Sequence, residues 1–376
     1  MNPFIRLSRC LQHPSSPPRR LKSSNIPILD SATRVEEKRM PAYDRHLYYP
    51  VTLGDAFHSR YQVPSKLGFG RIQQRHQYIA LKIYISCSEA NQEVRVLVHA
   101  SKMKTDHPGS SSLVRKMPEK FELAGPSGIH QCIVFELLLT SLLHFEATLD
   151  PKSLPEDLLK GALQQLLLAL GYLHSKPGVI HTDLQAKNIV ISARNDLIFH
   201  EWVEDEKIGP SPRKADGDYT VYLSLPFRRK KGWSGFGMLL LSDFGEARMS
   251  WTSKVDIWNV GVLTWDPFED HHLFDGRGPD GTYSDAHLLA EMVAMLGPPP
   301  PDFRRKSPHS LKYWDSSGQW KGAVEVPHNS LEDSEEYLEG GNEKMFIQFV
   351  RKMLRWDPEE RQSARELLMD PWLATP

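Results

Sequence analysis

In VIHTDLQAKNIVI, residues 179–191, an aspartate and an asparagine stand five residues apart. The stretch reads as a turn between a long leucine helix and a short β segment. Asp183 can accept the proton of an attacking hydroxyl there, and Asn188 can supply a neutral oxygen to a metal ion. Fifty-five residues after Asn188, LSDFGEA presents Asp243, a carboxylate in a tight turn after an apolar strand. Magnesium takes a few hard oxygens plus phosphate oxygens, so an Asn and an Asp that converge would suit it. Upstream, Ala80-Leu81-Lys82 places a lysine on a strand, and Glu93 lies on the following helix within pairing reach. That lysine can hold phosphate oxygens while the glutamate fixes its position. Singly, each piece has a plainer reading: Lys82 as a solvated edge residue, Asp-Phe-Gly as an ordinary turn. Together, in this order and these settings, they point to phosphoryl transfer.

The elements that must position these residues are legible in outline. From about Tyr61 to Glu136 the pattern is that of a small strand-rich lobe. YIALKIYI (78–85) alternates and is β-branched, as a strand should be. SEANQEVRVLVHASKM (88–103) follows with Val94, Leu97 and Val98 at helical spacing, and HQCIVFELL (130–138) reads as a buried strand running into a connector. LPEDLLKGALQQLLLALGYLHS (154–175) starts on a proline and acids and repeats leucines along its body, which predicts a central helix. Short strands are expected around Asn188–Ser192 and Met238–Ser242, with a polar, Pro- and Gly-bearing insertion at 199–233 between them. A helix-rich block runs from Val255 to the end, broken by LGPPPPDF at 296–303.

Composition narrows the class. A chain of 376 residues with 40% apolar and 25% charged residues belongs with globular proteins that bury an ample core. A net charge of −1 gives no whole-chain argument for nucleic acid or for an acidic membrane surface. No apolar run approaches the roughly 18 residues of a spanning helix. Cys10, Cys87 and Cys132 are scattered without metal-ligand spacing, and the sixteen histidines form no HExxH pair. Residues 1–29 carry Arg6, Arg9, Arg19, Arg20 and Lys22 and no acid before Asp30. This leader, extending to about residue 42, reads either as an organelle transit peptide or as a disordered basic segment.

Lys82, Glu93, the HxDxxxxN of His181–Asn188 and Asp243-Phe244-Gly245 resemble the eukaryotic protein kinase signature set. More narrowly, HTD, DFGEAR, VDIWNVGVLTWD and KMLRWDPEERQSARELLMDPWL resemble the SR-protein kinases, serine/threonine kinases of arginine/serine-repeat splicing factors, in their fungal form. The resemblance covers about residues 43–374. It implies an α+β, two-lobed protein kinase fold, with the small lobe at 43–138 and the large lobe at 139–376. It implies Asp183 as catalytic base, Asn188 and Asp243 as Mg2+ ligands, and Lys82 on the α- and β-phosphates of ATP, held by Glu93. Leu67, Gly68, Gly70, Ala80, Phe135 and Val190 would line the ATP site, with the backbones of Glu136 and Leu138 meeting the adenine edge. Phe135 and Val190 would also serve as plain core. Asp256 and Arg361 would be structural. Thr182, where many kinases have an arginine, implies no phosphorylation-dependent switch at that site. The implied partner is a protein with Arg/Ser-rich basic segments, met by a monomer in cytoplasm and nucleus without direct nucleic-acid or membrane contact. The mitochondrion is the alternative location if the leader is a transit peptide.

Two departures stand out. KLGFGRIQQRHQYIALK has Gln73 where the third glycine of GxGxxGxV belongs, and only Arg71–Gln77 separates Gly70 from the lysine strand. The phosphate cover is therefore expected to be shortened or missing. Only twelve residues separate Asp243 from Asp256, and no Ala-Pro-Glu motif lies among them. Thirteen steps can span roughly 45 Å, so the connection closes, but the substrate platform is expected to be lost. Arg361 matches the arginine that pairs with the missing glutamate, so it is expected to turn to solvent or find another acid. An unpaired buried charge there would cost several kcal/mol. These gaps keep open a kinase-shaped binding module, or an incomplete product of an active kinase. SLEDSEEYLEGGNEK (330–344) reads either as an acidic docking surface for basic peptides or as a solvated loop.

Overall fold

The computed structural model describes residues 27–30, 43–58, 60–63, 72–74, 77–86, 91–103, 105–217, 219–224, 235–269 and 271–375. Most of the basic leader, together with Leu67, Gly68 and Gly70, lies outside the described residues. In chain order come β1 (Ala56–Phe57), β2 (Tyr61–Gln62), β3 (Ile72–Gln74), β4 (Gln77–Ile83), α1 (Gln92–Ser101), α2 (Pro108–Ser112), β5 (Glu119–Gly125), β6 (Gly128–Glu136) and β7 (Thr140–Ser141). Helices α3 (Leu142–Glu146) and α4 (Glu156–Ser175) lead to β8 (Ile189–Ala193), α5 (Leu197–Ile208), β9 (Arg213–Asp216), β10 (Tyr219–Tyr222) and β11 (Phe236–Leu241). The remainder is helical: α6 (Lys254–Glu269), α7 (Asp285–Leu296), α8 (Pro301–Arg305), α9 (Leu331–Ser334), α10 (Gly340–Arg351), α11 (Ala364–Leu368) and α12 (Pro371–Ala374). No helix among the described residues is long and apolar enough to cross a membrane.

These elements group into two compact units, with one division of the chain between Leu137 and Leu138. Two segments depart from a simple cut there. The stretch 89–117, with α1, belongs to the second unit, and 195–229, from the insertion, belongs to the first.

The first unit is a six-stranded antiparallel sheet in the order β1-β2-β3-β4-β6-β5. Its period-two patterning buries Ile79, Leu81, Cys132 and Val134 with Phe57, Tyr61 and Val63 on one face. The return strand before the lysine strand is present but cut to three residues, with Gln74 opposite Gln77. The insertion is not the bare polar stretch expected from its composition. Ile198, Phe199, Trp202 and Val203 are buried along α5, and β9 and β10 form a hairpin. Phe199 packs on Tyr78 at 5.8 Å between ring centroids, and Tyr78 Oη and His200 Nδ1 are hydrogen-bonded at 2.7 Å.

The second unit is built around α4, whose Leu159, Leu163, Leu166, Leu167, Leu170 and Leu173 form the buried stripe that the leucine spacing predicts. Helix α6 contributes Ile257, Val260, Trp265 and Phe268, and α10 contributes Phe346, Ile347, Phe349 and Val350. Gly261 lets α6 approach closely, since a Cβ there would meet Leu354 Cδ2 at 2.7 Å. The three-stranded sheet β11-β8-β7 lies in this unit. A small antiparallel-sheet lobe and a helical lobe constitute the α+β protein kinase fold.

Candidate active site

The second unit assembles most of the predicted chemistry at one end of the β8–β11 ladder. Leu241 pairs with Ile189, and the Ser242 N–H donates to Asn188 O at 2.9 Å. This register sets Asn188 beside the start of Asp-Phe-Gly. Asn188 is buried, and its Nδ2 donates to both Asp183 O and Asp183 Oδ2 at 2.9 Å. With its nitrogen committed to Asp183, Asn188 keeps its oxygen for another ligand. Asp243 is exposed and sits at φ +62°, a left-handed conformation that non-glycine residues seldom adopt. Among the described residues no group of three or more His, Cys, Asp or Glu could hold a metal. One amide oxygen and one carboxylate fit an ion that takes few protein ligands and completes its shell with phosphate and water.

A buried carboxylate fixes the loop that carries Asp183. Asp256, in the first turn of α6, is fully buried and accepts three hydrogen bonds at 2.8 Å, from His181 N, Thr182 N and His174 Nε2. Thr182 is held at φ +67°, its Oγ1 donating to Glu246 O at 2.7 Å and its carbonyl accepting from Asn259 Nδ2 at 3.2 Å. A β-branched residue in this region is strained, and strain persists only where the surroundings over-determine it. His181 is fully buried, bonded through Nε2 to Ser242 O at 2.9 Å and edge-on to Phe244. Helix α1 is tied to the same region by Gln92, whose Nε2 donates to Ala247 O at 2.9 Å. Glu93, the second residue of that helix, is 2% exposed, with its N–H donating to Asn91 Oδ1.

Leu138 and Val190 also lie in the second unit. Leu138 is buried beside Leu139, whose N–H donates to Ile191 O, and half-buried Val190 sits mid-strand opposite Leu240. In the first unit, Ala80 pairs with Phe135 and Lys82 with Ile133, so Ala80, Lys82 and Phe135 share the sheet face opposite the core cluster. Lys82 Nζ lies 5.1 Å from the centre of the Tyr84 ring, and Glu136 is exposed at the end of β6. Lys82 and Glu93 thus belong to different units.

Between Asp243 and α6 the chain makes a turn, one antiparallel bridge of Arg248 with Ile180, and bends. Met249 and Trp251 in this stretch are about half exposed. Arg361 corrects the expectation that it would reach solvent, and Asp357 is the acid whose charge acts on it. Arg361 is buried, donating from Nε to Arg355 O (2.9 Å) and from Nη1 to Lys254 O (2.8 Å). The guanidinium also lies 4.9 Å from the centre of the Trp258 ring. Burial pushes its pKa down to about 10, so it remains charged at neutral pH. Main-chain carbonyls, an aromatic face and the charge of Asp357 stand in for the missing carboxylate.

The acidic stretch 330–344 is partly used internally. Ser330 caps α9, Glu332 pairs with Arg351 at 2.8 Å, and Glu335 accepts from the N–H groups of Tyr337 and Leu338. Sequence reasoning passed over His174, Asn259, Gln92 and Gln185, the last of which donates from Nε2 to Asp183 Oδ1. His174 and Asn259 act across 82 and 77 residues, so no local spacing could have found them. Gln185 lay in view, two residues from Asp183.

No family model matches the chain. A serine/threonine protein kinase of Aspergillus fumigatus is 66% identical over 99% of this chain and 99% of its own. The matched stretch runs over 403 positions, more than the 376 residues here, so that relative holds segments this chain lacks. The serine/threonine-protein kinase SRPK of Physarum polycephalum is 27% identical over 90% of this chain and 92% of its own. SRSF protein kinase 3 of Homo sapiens is 32% identical over 42% of this chain and 30% of its own.

Proposed function

The chain belongs to the serine/threonine protein kinases, and from that premise we propose that it transfers the γ-phosphate of ATP to serine in Arg/Ser-rich proteins of the splicing-factor type. The observation that carries this reading is the set Asp183, Asn188 and Asp243, gathered at one ladder end and clamped by Asp256. Asp183 takes the proton of the serine hydroxyl as its oxygen bonds to phosphorus and the bond to the ADP oxygen breaks. Asn188 orients that carboxylate through its amide nitrogen, and its oxygen and the Asp243 carboxylate would hold Mg2+. Bound Mg2+ neutralises charge on the transferring phosphoryl group. Within the same unit as Asp183, Asn188 and Asp243, Leu138 and Val190 would offer apolar surface to the nucleotide. The Arg/Ser preference is supported by the resemblance to SRPK-type kinases and by Glu336 and Glu339, exposed in the acidic stretch. The protein would then act in cytoplasm and nucleus.

The test is incubation with Mg-ATP and an Arg-Ser repeat peptide. Phosphoserine should appear with the wild-type chain and be lost in Asp183→Ala, with circular dichroism unchanged. Equal labelling of an acidic serine peptide would remove the substrate assignment and leave the kinase. The short stretch between Asp243 and α6 favours a second reading, a kinase-shaped module that binds partners without transfer. A folded wild-type chain inert at high concentration would establish that reading instead.

A further inference from the structure

We propose that a cavity at the start of α4 binds a small aliphatic dication, with an ammonium or guanidinium group at each end of a short alkyl chain. The cavity holds about 340 Å³ and lies within the second unit, among the loop 149–156, the end of α6 and the segment before α10. That volume is at the lower end of small-molecule sites, which run about 300–1,000 Å³. Leu149, Leu154, Phe268, Tyr337 and Leu338 give it apolar walls, and Asp150 and Glu156 add carboxylates. The Leu154 N–H donates to Pro267 O at 2.7 Å, which joins the loop to α6, and the rings of Phe268 and Tyr337 lie 5.8 Å apart. These contacts hold the walls in place without a ligand.

The charge around the cavity is mostly negative. Residues 149–157 hold Asp150, Glu156 and Asp157 against Lys152, and residues 335–344 hold four glutamates against Lys344. Burial raises the Glu335 pKa, and the charges of Glu343 and Glu156 push it the same way. Lys160 is buried and already committed, to Glu156 at 2.7 Å and to Thr375 Oγ1 at 2.8 Å. Two buried acceptors beside these walls meet no donor among the described residues. One is Oε1 of Glu269, a residue 2% exposed that follows Phe268 and accepts the N–H of Glu336, next to Tyr337. The other is Asn342 Oδ1; the Nδ2 of that amide donates to both Glu156 oxygens at 3.0 Å, so a flip would only set oxygen against carboxylate. A bare metal ion does not suit the place, since no group of three or more His, Cys, Asp or Glu among the described residues could hold one. Leucine and aromatic walls replace no hydration shell either. An organic cation suits it: its stem covers leucine, aromatic faces attract its head, and its N–H groups supply the missing donors.

The experiment is calorimetric titration of the full chain with agmatine at pH 8, without ATP or substrate, against sodium chloride at matched ionic strength. Saturable binding at one site is expected, with a rise in melting temperature. Tyr337→Leu should weaken it about fivefold and Asp150→Asn about threefold. Glu269→Gln should weaken it about tenfold while raising stability, a combination that damage to the fold does not produce. Glu332→Gln, in the same acidic stretch but outside the cavity, should bind as wild type. Equal agmatine binding in wild type, Tyr337→Leu and Glu269→Gln, or heat no greater than that of the salt, would overturn the site. An arginine-repeat peptide that binds and weakens in these variants, where agmatine does not bind, would give the cavity to a protein side chain and overturn the small-molecule assignment. No transfer enters the measurement, so the kinase reading and this one fail independently.

Discussion

At the scale of single residues, the site depends most on a carboxylate that touches no substrate. Asp256 is fully buried and meets two main-chain N–H groups and an imidazole, so its oxygens cannot be lost cheaply. Charge-assisted bonds of this kind are stronger than neutral ones, and each donor left unmet in a dry site carries its own desolvation cost. Asp256→Asn exchanges one acceptor for a donor that must face another donor. We expect it to destabilise the second unit by about 2–4 kcal/mol in urea unfolding, and to lower kcat by more than 100-fold because Thr182 is released from φ +67°. An unchanged unfolding midpoint would mean that the clamp is dispensable. Arg361 teaches the complementary lesson. Sequence placed it opposite a missing acid, and it is instead satisfied by main-chain carbonyls that residue types do not reveal.

At the scale of elements, what could be read in advance followed from periodicity. The leucine repeat of α4, the alternation of β4 and the acids opening α4 mark those elements in the sequence, and the ladder between β8 and β11 makes neighbours of Asn188 and Asp243. Helix α5 was hidden because Glu201, Glu204, Asp205 and Glu206 surround its apolar stripe and lower the local hydropathy. Ile198, Phe199, Trp202 and Val203 nevertheless fall at i, i+1, i+4 and i+5, which is one helical face. Contacts made across 70 or more residues, such as His174 on Asp256, leave no periodic trace at all. The insertion therefore buries apolar side chains of its own against Tyr78 rather than lying on the unit as a polar decoration. Phe199 is 2% exposed and packs between Tyr78 and Trp202. Phe199→Ala should cost about 3–5 kcal/mol through lost transfer energy and a residual cavity, whereas Tyr78→Phe, which removes the hydroxyl bonded to His200, should cost about 1 kcal/mol. Urea unfolding of the two variants distinguishes a structural insertion from a loosely attached one: near-zero values for both would fit only the latter.

At the scale of the molecule, 46 basic and 47 acidic residues nearly cancel, so long-range repulsion contributes little and local burial governs the response to pH. Glu269, closing α6, is the group to watch. It is 2% exposed, its Oε2 accepts the Glu336 N–H at 3.1 Å, and its buried Oε1 meets no hydrogen-bond donor among the described residues. Burial raises its pKa to about 7, and the neighbouring charges of Glu335 and Glu336 push the same way. An acid whose folded pKa lies above its unfolded value binds its proton more tightly in the folded state. Its stabilising contribution is full below about pH 4.5 and is lost as pH rises through about 7, after which the penalty is constant. A gap of this size corresponds to about 3 kcal/mol. Glu269→Gln keeps the acceptor for the Glu336 N–H and removes the charge. It should exceed wild type in stability at pH 8 by about 2–3 kcal/mol, with the two converging near pH 5. Comparing the variant with wild type at each pH cancels the titration of the sixteen histidines, which both chains share. Parallel stability curves from pH 5 to 8 would show that Glu269 stays ionised in the fold, and that water or a cation reaches Oε1 in solution.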